Sequence, residues 1–341
     1  MARALLVVLA LSGAIWTAAP RAQTPPEDFR PLAVEVEAFI DYMARQHGFE
    51  PRALRQLFAQ LKPNNGVQRA IAAPSTARPW HEFRPLFVDR ARVDNGVKFW
   101  DTYAEPLARA SEQFEVPQAV IVSIIGIETR YGRMTGNFSV LDALHTLAFK
   151  SQGRPEFFRQ ELEQFLLLAR EQNWDPLKVK GSYAGAMGLP QFMPSSYRRY
   201  AIDFDGDGAI DLWTNPSDVI GSVASYLRQF GWKNGEPVVA PALVDGDPEA
   251  LLALGLAPSF TVEQWRMRGV DTKAEVGQTL PAALFRLDLA NGGQQFMLGF
   301  DNFRTILQYN RSRHYAMAVY ELANEIERAR QQSKTVVVGL P

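Results

Sequence analysis

One glutamate, Glu128, lies in an apolar stretch that has helical spacing. Ile124 and Ile125 precede it by four and three residues, so they share its helical face. Apolar surroundings remove water from a carboxylate, which disfavours the charged form and raises the pKa. A carboxyl group that stays protonated near neutral pH can donate a proton to a glycosidic oxygen. A structural ion pair with Arg130 or Arg133 is the alternative that the sequence leaves open.

Residues 181–194 are a second candidate site, a run of small and apolar residues in which Ser182 and Gln191 are the polar exceptions. Glycine lets the backbone turn sharply and approach a ligand closely. A glutamine side chain can donate and accept hydrogen bonds, which suits recognition of a hydroxyl or acetamido group. Ser195 or Ser196 is suited to cap the helix that follows. A tight loop buried between helices is an equally open interpretation.

An acidic loop, Asp-Phe-Asp-Gly-Asp-Gly-Ala-Ile-Asp, matches the first half of an EF-hand calcium loop. Its acids at the first, third and fifth positions are Asp203, Asp205 and Asp207. A glycine follows at the sixth position, and Ala209 offers its carbonyl at the seventh. The expected glutamate at position 12 is absent, and Asp218 is the nearest acid that could replace it. Crowded carboxylates repel one another without a cation, so we expect structural calcium; a solvated acidic turn is the alternative.

Tyr309 and Tyr315 stand among polar residues near the last predicted helix. Tyrosine rings can stack on the apolar faces of sugars, although buried tyrosines are more often core residues. The histidines lack metal-ligand spacing, and no serine-hydrolase elbow, P-loop or dinucleotide-binding glycine motif is present. Cysteine is absent, which excludes thiol catalysis, disulfides and thiolate metal sites. Carboxylate chemistry is the class that remains.

The elements that must position these residues are mostly helices. Residues 62–95 are rich in proline and arginine and are expected to be irregular, whereas residues 331–341 are expected to form a flexible tail. The change of composition after residue 236 and an Asn-Gly-Gly turn predict a β-hairpin of residues 282–289 and 295–300. Apolar periodicity and proline placement predict helices over 32–61 with a break near Gly48, 96–114, 117–130, 139–149, 155–173, 195–201, 217–231, 302–309 and 314–330.

Residues 1–22 have the organisation of a cleavable signal peptide, with a basic residue, an apolar run and small residues before the cleavage site. An uncleaved membrane anchor is the alternative, although the apolar run is short for a bilayer span. Cleavage would change the formal net charge of the 341-residue chain from −1 to −3, which argues against a nucleic-acid partner. Without a cysteine for lipid attachment, we expect an exported periplasmic protein with no lipid anchor.

Five separated motifs resemble those of the membrane-bound lytic murein transglycosylase B family, in the same order and over residues 32–330. They are Gly-Ile-Glu-Thr-Arg-Tyr-Gly at 126–132, the loop at 181–197 with its Ala-Gly-Ala-Met-Gly core, the acidic loop from Asp203, residues 221–226, and the segments 309–310 and 315–319. The resemblance implies a mainly α (α+β) fold. A lysozyme-like helical core (116–235) would follow an extra helical region (23–115). A small β-containing region (236–300) and C-terminal helices (301–330) would complete the groove.

The resemblance also implies an activity on peptidoglycan glycan strands. Glu128, as the single general acid and base, would cleave the bond between N-acetylmuramic acid and N-acetylglucosamine and leave 1,6-anhydromuramyl ends. A hydrolytic muramidase and a non-catalytic peptidoglycan-binding protein are the alternatives. By motif position, the substrate-binding residues would be Ser182, Gln191, Tyr226, Tyr309, Tyr315 and Arg154, the last of which would meet the stem peptide.

The same resemblance implies Ca²⁺ as a structural ion and no organic cofactor. The calcium ligands would be those of the acidic loop, with Asp218 completing the coordination sphere. Cell-wall synthesis proteins are compatible partners, which the sequence does not identify.

Overall fold

The structure, a computed structural model, describes residues 32–61, 64–71, 78–151 and 153–338. The proposed signal peptide at residues 1–22 lies outside these ranges. None of the helices within them combines the length and the apolar character needed to cross a membrane.

The N-terminal region is helical, and it contains more helix than the sequence pattern predicts. The expectation of irregular chain over 62–95 is wrong, because three helices begin there, one of them after Asp89, whose carboxylate accepts the amide of Arg92 at 2.9 Å. The single helix predicted over 96–114 is also wrong, since Pro106 cannot donate to the carbonyl of Thr102. The helices are α1 (Leu32–His47), α2 (Pro51–Phe58), α3 (Asn65–Ile71), α4 (Trp80–Phe87), α5 (Arg90–Thr102) and α6 (Ala104–Phe114).

The central region contains five helices whose ends lie within two residues of the predicted ones. They are α7 (Gln118–Thr129), α8 (Val140–Lys150), α9 (Pro155–Glu171), α10 (Pro194–Tyr200) and α11 (Pro216–Gln229), and a short antiparallel pair joins β1 (Phe138–Ser139) to β2 (Lys180–Gly181). Every residue of α7 from Ala119 to Thr129 is buried. A helix that is apolar on all sides belongs in the middle of a core.

The fold places α7 at that centre. It packs against α5, α6 and α11, and also against the last helix of the chain. Each fully buried isoleucine contributes roughly 1.5–3 kcal/mol of transfer free energy. The helix that carries Glu128 is therefore rigidly held by its neighbours.

The small β-containing region is an antiparallel sheet of five strands. Its strands are β3 (Val239–Val244), β4 (Phe260–Thr261), β5 (Val270–Asp271), β6 (Pro281–Asp288) and β7 (Gln294–Gly299), in the order β4-β6-β7-β3-β5, with α12 (Glu249–Leu252) and α13 (Val262–Arg266) between them. The predicted hairpin is confirmed as β6 and β7, with Leu287 opposite Gln295. Phe285 and Met297 join the main core, whereas Trp265 is buried in a smaller core of this region. The sheet is thus covered on two sides.

Two helices end the described chain, α14 (Asp301–Tyr309) and α15 (Arg313–Val338). The flexible tail predicted from residue 331 is wrong as far as Val338, because α15 continues along α5. Arg330 donates to Asp101 at 2.8 Å and lies over the ring of Trp100, which anchors the helix where the prediction ended it. The fold is mainly α with a small sheet, as predicted.

Candidate functional site

Glu128 is the second-to-last residue of α7, and its side chain is only 3% exposed. The hydroxyl group of Tyr315 donates to Oε1 at 2.5 Å, whereas Oε2 is buried with no hydrogen-bond partner among the described residues. Burial raises the pKa of the Glu128 carboxyl to about 8, and the hydrogen bond from Tyr315 acts in the opposite direction. The carboxyl group is therefore protonated at neutral pH and has one oxygen free for a further contact.

The ion pair considered for Glu128 is not formed. Arg130 lies 4.0 Å from Asp89, and Arg133 donates to Asn95 at 3.0 Å. Both arginines follow the end of α7, where Arg130 adopts a left-handed conformation with φ of 51° and directs the chain away. Among the described residues, the carboxyl group consequently has no neutralising cation.

The residues after Glu128 fold back onto their own helix. The hydroxyl group of Tyr131 donates to the carbonyl of Arg92 at 2.9 Å and lies against Gly126, where a Cβ atom would overlap with the phenol. The buried guanidinium of Arg92 donates in turn to the carbonyl of Gly126 at 3.0 Å. Gly126 and Tyr131 are therefore packed against each other. The motif has a glycine at position 126 because a larger side chain would overlap with the phenol ring.

The loop of residues 181–194 brings Gln191 to the site. Gln191 has a φ of 53°, its Nε2 donates to the carbonyl of Gly188 at 2.8 Å, and its Oε1 is buried without a partner in the described part of the chain. Ser182 is fully buried, and its hydroxyl oxygen accepts the amide of Ala186 at 3.0 Å. Gln191 thus keeps a free acceptor, whereas Ser182 shapes the loop.

A cavity of about 510 Å³ lies beside this loop. Four of the predicted substrate-binding residues line it, namely Arg154, Gln191, Tyr226 and Tyr309. The hydroxyl group of Tyr309 donates to the carbonyl of Pro190 at 2.6 Å, and that of Tyr226 donates to the carbonyl of Gln308 at 2.7 Å. Because these protons are already used, the tyrosines offer mainly ring surface to a ligand.

Tyr315 and Ser182 are not among the residues that line the cavity. Tyr315 is 1% exposed, stacks on Tyr309 with ring centroids 6.4 Å apart, and directs its hydroxyl group to Glu128. Glu128 itself is also outside the lining, and this pair of tyrosines connects it to the cavity wall. The structure therefore gives Tyr315 a contact with the acid where the resemblance implied a contact with the sugar.

Three polar residues near the site escaped the sequence reasoning. Glu161 and Arg311 line the cavity, and Asn310, next to Tyr309, is fully buried with Nδ2 unpartnered among the described residues. Glu161 accepts the backbone amide of Ser195 at 2.9 Å and its hydroxyl group at 2.6 Å. Ser195 was expected to cap α10 with its own side chain and instead binds this acid from α9. Only tertiary contacts bring these residues to the groove, although Asn310 stands within a motif that resembles the family.

The acidic loop brings three carboxylates together. Oxygen atoms of Asp203, Asp205 and Asp218 all lie within 4.8 Å of one another. Asp218 is fully buried, and burial together with the charges of Asp205 and Asp203 raises the pKa of its carboxyl, against the effect of two backbone amides. Asp207 is exposed and accepts the amide of Ala209 at 2.9 Å, so the structure does not bring its carboxylate into this group.

Comparison with known proteins shows which family has this architecture. The family model described as "Transglycosylase SLT domain" matches residues 32–324. Membrane-bound lytic murein transglycosylase B of Escherichia coli (strain K12) is 43% identical over 306 residues, which are 87% of this chain and 83% of that protein.

Solved structures of lytic transglycosylases are similar to this chain over most of its length. Soluble lytic transglycosylase SltB1 from Pseudomonas aeruginosa has 47% identity and a TM-score of 0.81, covering 87% of this chain and 99% of that one. Escherichia coli Slt35 in complex with calcium has 43% identity and a TM-score of 0.76, covering 88% and 94%. SltB3 from Pseudomonas aeruginosa in complex with NAG-anhNAM-pentapeptide has 30% identity and a TM-score of 0.74, covering 87% and 80%.

The helical core and the small sheet are those of the lysozyme-like lytic transglycosylases. The chain belongs to the transglycosylase SLT domain family. The family and the fold class predicted from the sequence are thereby confirmed, and so is the assignment as a lytic transglycosylase.

Proposed function

We propose that this enzyme cleaves the β-1,4 bond between N-acetylmuramic acid and N-acetylglucosamine in peptidoglycan and leaves 1,6-anhydromuramyl ends. The observation that carries the proposal is the state of Glu128, a carboxyl group with raised pKa, one oxygen held by Tyr315 and the other free. Its relatives are named for lytic action on murein, and SltB3 was solved with a NAG-anhNAM-pentapeptide.

Glu128 acts first as the acid in this mechanism. Its protonated carboxyl group donates to the glycosidic oxygen, the bond from that oxygen to C1 of the muramyl residue breaks, and positive charge develops on C1. The hydrogen bond from Tyr315 to Oε1 stabilises the carboxylate that this step creates. Oε2, which has no partner in the described residues, is the oxygen that remains free for the substrate.

The same carboxylate then acts as the base. It accepts the proton of the muramyl 6-hydroxyl group while the oxygen of that group bonds to C1, so the acid is regenerated and no water is consumed. A hydrolytic glycosidase of the usual kind needs a second carboxylate to activate water or to bind the sugar. Burial raises the pKa of Glu128 and Tyr315 opposes that rise, and Glu161, an acid of the cavity wall, is bound to Ser195. These contacts support a one-carboxylate mechanism.

The sugar termini that wild-type enzyme releases from purified peptidoglycan test this proposal directly. We expect anhydromuramyl ends in mass spectrometry, because the intramolecular hydroxyl group replaces water. Reducing muramyl ends would establish a hydrolytic muramidase instead, and the absence of released fragments would establish a binding protein. Either result would overturn the proposal.

Two arginines in the cavity wall are suited to bind the carboxylates of the stem peptide. Arg154 lies 4.3 Å over the ring of Phe157, and burial and the charge of Arg311 both lower its pKa. Neither guanidinium forms an ion pair with an acid of the described residues, so both remain available to an anionic ligand. Both arginines are exposed at the cavity wall, where an anionic group of a bound ligand can reach them.

This assignment predicts a selective defect. Arg154→Ala and Arg311→Ala should each raise KM about tenfold on peptide-bearing glycan, the effect of one lost charge-assisted hydrogen bond, and leave KM on naked glycan unchanged. The exposed Arg45, in α1, provides the control Arg45→Ala. Equal defects on both glycans would contradict a role in peptide binding.

The acidic loop fits a calcium ion, and we propose that one binds there. The side chains of Asp203, Asp205 and Asp218 and the carbonyl of Ala209 would hold it, with Asp207 contributing after a change of rotamer or through water. Gly206 and Gly208 have positive φ, as the sharp turns of such a loop require. The ion would supply charge neutralisation and stability rather than a chemical step.

We also propose a periplasmic location, in agreement with the signal-like residues 1–22 and with a peptidoglycan substrate. Removal of that segment during export, measured by N-terminal sequencing of the mature protein, tests the location.

A further inference from the structure

Thr129, the last residue of α7, follows Glu128 directly and is fully buried. A threonine in a helix ordinarily donates its hydroxyl proton to the carbonyl four residues before, here that of Ile125, which lies 3.4 Å away. The hydroxyl group of Thr129 makes a shorter contact outside its own helix, 3.0 Å to the carbonyl of Leu189. Its oxygen also accepts the amide of Gly132 at 3.0 Å.

The carbonyl that Thr129 binds belongs to the segment that carries Gln191. The amide of Leu189 donates to the carbonyl of Leu212 at 2.7 Å. The backbone amide and the carbonyl of Leu189 are therefore both hydrogen-bonded to residues outside the segment. Gly188 has a φ of 70°, and a Cβ atom there would lie 2.5 Å from the carbonyl oxygen of Leu212. The segment therefore has little freedom to move without breaking these contacts.

Gln191 needs this support because its own conformation is unfavourable. Its φ of 53° is uncommon for a residue other than glycine and costs free energy that the surroundings must offset. The side chain donates to Gly188 and Thr135, which leaves the buried Oε1 aimed away from both and unpartnered among the described residues. A misplaced acceptor in such a site costs rate because its contact with the substrate depends on position.

We propose that Thr129 is a positioning residue, which holds Gln191 in register with Glu128 by hydrogen bonding the carbonyl of Leu189. The inference rests on the proposed function, since it assigns Gln191 Oε1 to the bound glycan. Glu128 and Thr129 are adjacent in α7, so one helix end places both the acid and the loop that holds the sugar. Thr129 touches no reacting atom and acts through Leu189.

The principal test replaces the hydroxyl group of Thr129 at constant shape. Thr129→Val should lower kcat/KM about tenfold or more, because the Leu189 carbonyl loses its donor and the segment relaxes. Thr129→Ser retains the hydroxyl group and should stay within about threefold of wild type. The pH at which activity falls on the alkaline side of the profile should remain unchanged in both variants, because the contacts of Glu128 are intact. Thr272→Val, a buried threonine of the β-containing region whose hydroxyl accepts a backbone amide, is the matched control.

A double-mutant cycle separates positioning from general damage to the core. Gln191→Met removes the acceptor at similar volume, and in that background Thr129→Val should have little further effect on kcat/KM. An undiminished loss in that background would overturn the proposal, as would full activity of Thr129→Val or a Thr129→Ser variant as impaired as the valine variant. Melting temperatures identify variants that do not fold. In that case Thr129→Cys, whose thiol is a weak donor, replaces the valine variant.

A failure of this proposal can be distinguished from a failure of the proposed function. If wild-type enzyme released no anhydromuramyl ends, the proposed function would fail before any variant was compared. A failure of the cycle in an enzyme that does release them concerns Thr129 alone.

Discussion

Two regions of this molecule use carboxylates in opposite ways. Glu128 is a single buried acid, and its pKa is raised to about 8 chiefly because water is excluded. The acidic loop crowds oxygen atoms of Asp203, Asp205 and Asp218 within 4.8 Å of one another, and backbone amides lower the pKa of the half-buried Asp203. One site keeps a proton on a single acid, whereas the other places three acids close together, where a cation would relieve their repulsion.

The difference shows that the environment, rather than the residue type, decides what a carboxyl group does. A lone carboxyl in a dry place becomes a proton donor, because ionisation would leave an uncompensated charge. Several carboxylates supported by amides become a cation site, because a metal ion relieves their repulsion. A carboxyl of the loop in surroundings as dry as those of Glu128 would therefore be expected to keep its proton. Glu128 among amides and other carboxylates would be expected to lose its proton.

The largest effect is expected from removal of the proton carried by Glu128. Glu128→Gln should reduce the release of glycan fragments on the order of 1000-fold, because an amide cannot serve as acid or base. Fragment release measured by chromatography provides the test, with Glu112→Gln, an exposed acid of α6, as the control. A Glu128→Gln variant that retains activity within tenfold of wild type would exclude the mechanism.

The same variant should change how stability depends on pH. The folded-state pKa of Glu128 lies above the unfolded value of about 4.5, so the wild-type carboxyl binds its proton more tightly when folded. Its contribution is complete below pH 4.5 and is lost progressively as the pH rises to about 8. The melting temperature of Glu128→Gln relative to wild type should therefore increase between these pH values, and a constant difference would show that Glu128 titrates normally.

A smaller effect is expected at Tyr315. Tyr315→Phe removes the donor to Oε1, which at present lowers the pKa of Glu128, so the alkaline limb of the kcat/KM profile should move to higher pH. The turnover number should fall about tenfold, since the carboxylate formed in the first step loses a hydrogen bond. In Tyr309→Phe the limb should stay in place, because that hydroxyl group donates to Pro190.

The smallest effect on activity is expected at the acidic loop, where stability should respond instead. Asp205→Asn should raise the melting temperature without calcium, because repulsion with Asp203 and Asp218 falls, and should weaken the stabilisation that added calcium produces. Chelation should lower the melting temperature of wild type and leave the identity of its products unchanged. Thermal unfolding with and without calcium measures both effects, with the exposed Asp245→Asn as control. Equal responses of the two variants would argue against a metal at this loop.

Local patterns predicted most helices of the core and the hairpin. Helices α7 to α11 were placed within two residues because their apolar periodicity is a local signal, as is the proline that begins α9, α10 and α11. The errors concern residues whose state depends on a distant partner. The end of α15 was missed because Arg330 binds Asp101, far away in the sequence. The helices over 62–95 were missed because proline and arginine obscured the spacing of Trp80, Phe83 and Phe87, which all face the core.

The candidate site shows the same division. The sequence singled out Glu128, Gln191 and the acids of the loop, because each of them belongs to a short contiguous motif. The roles of Ser182 and Tyr315 were not visible, because each depends on which atom lies opposite in the folded chain. Arg311 and Glu161 were not found at all, because neither belongs to a pattern until α9 and the turn after α14 meet at the cavity.

The sequence by itself determined the family and the mainly helical fold and singled out Glu128 as the candidate acid, because these follow from composition, periodicity and contiguous motifs. Only the tertiary structure decided that the acid is dry, that Tyr315 holds one of its oxygens and that Thr129 links it to the loop of Gln191. A pKa depends on the water and the charges around a group, and the packing of distant segments sets both.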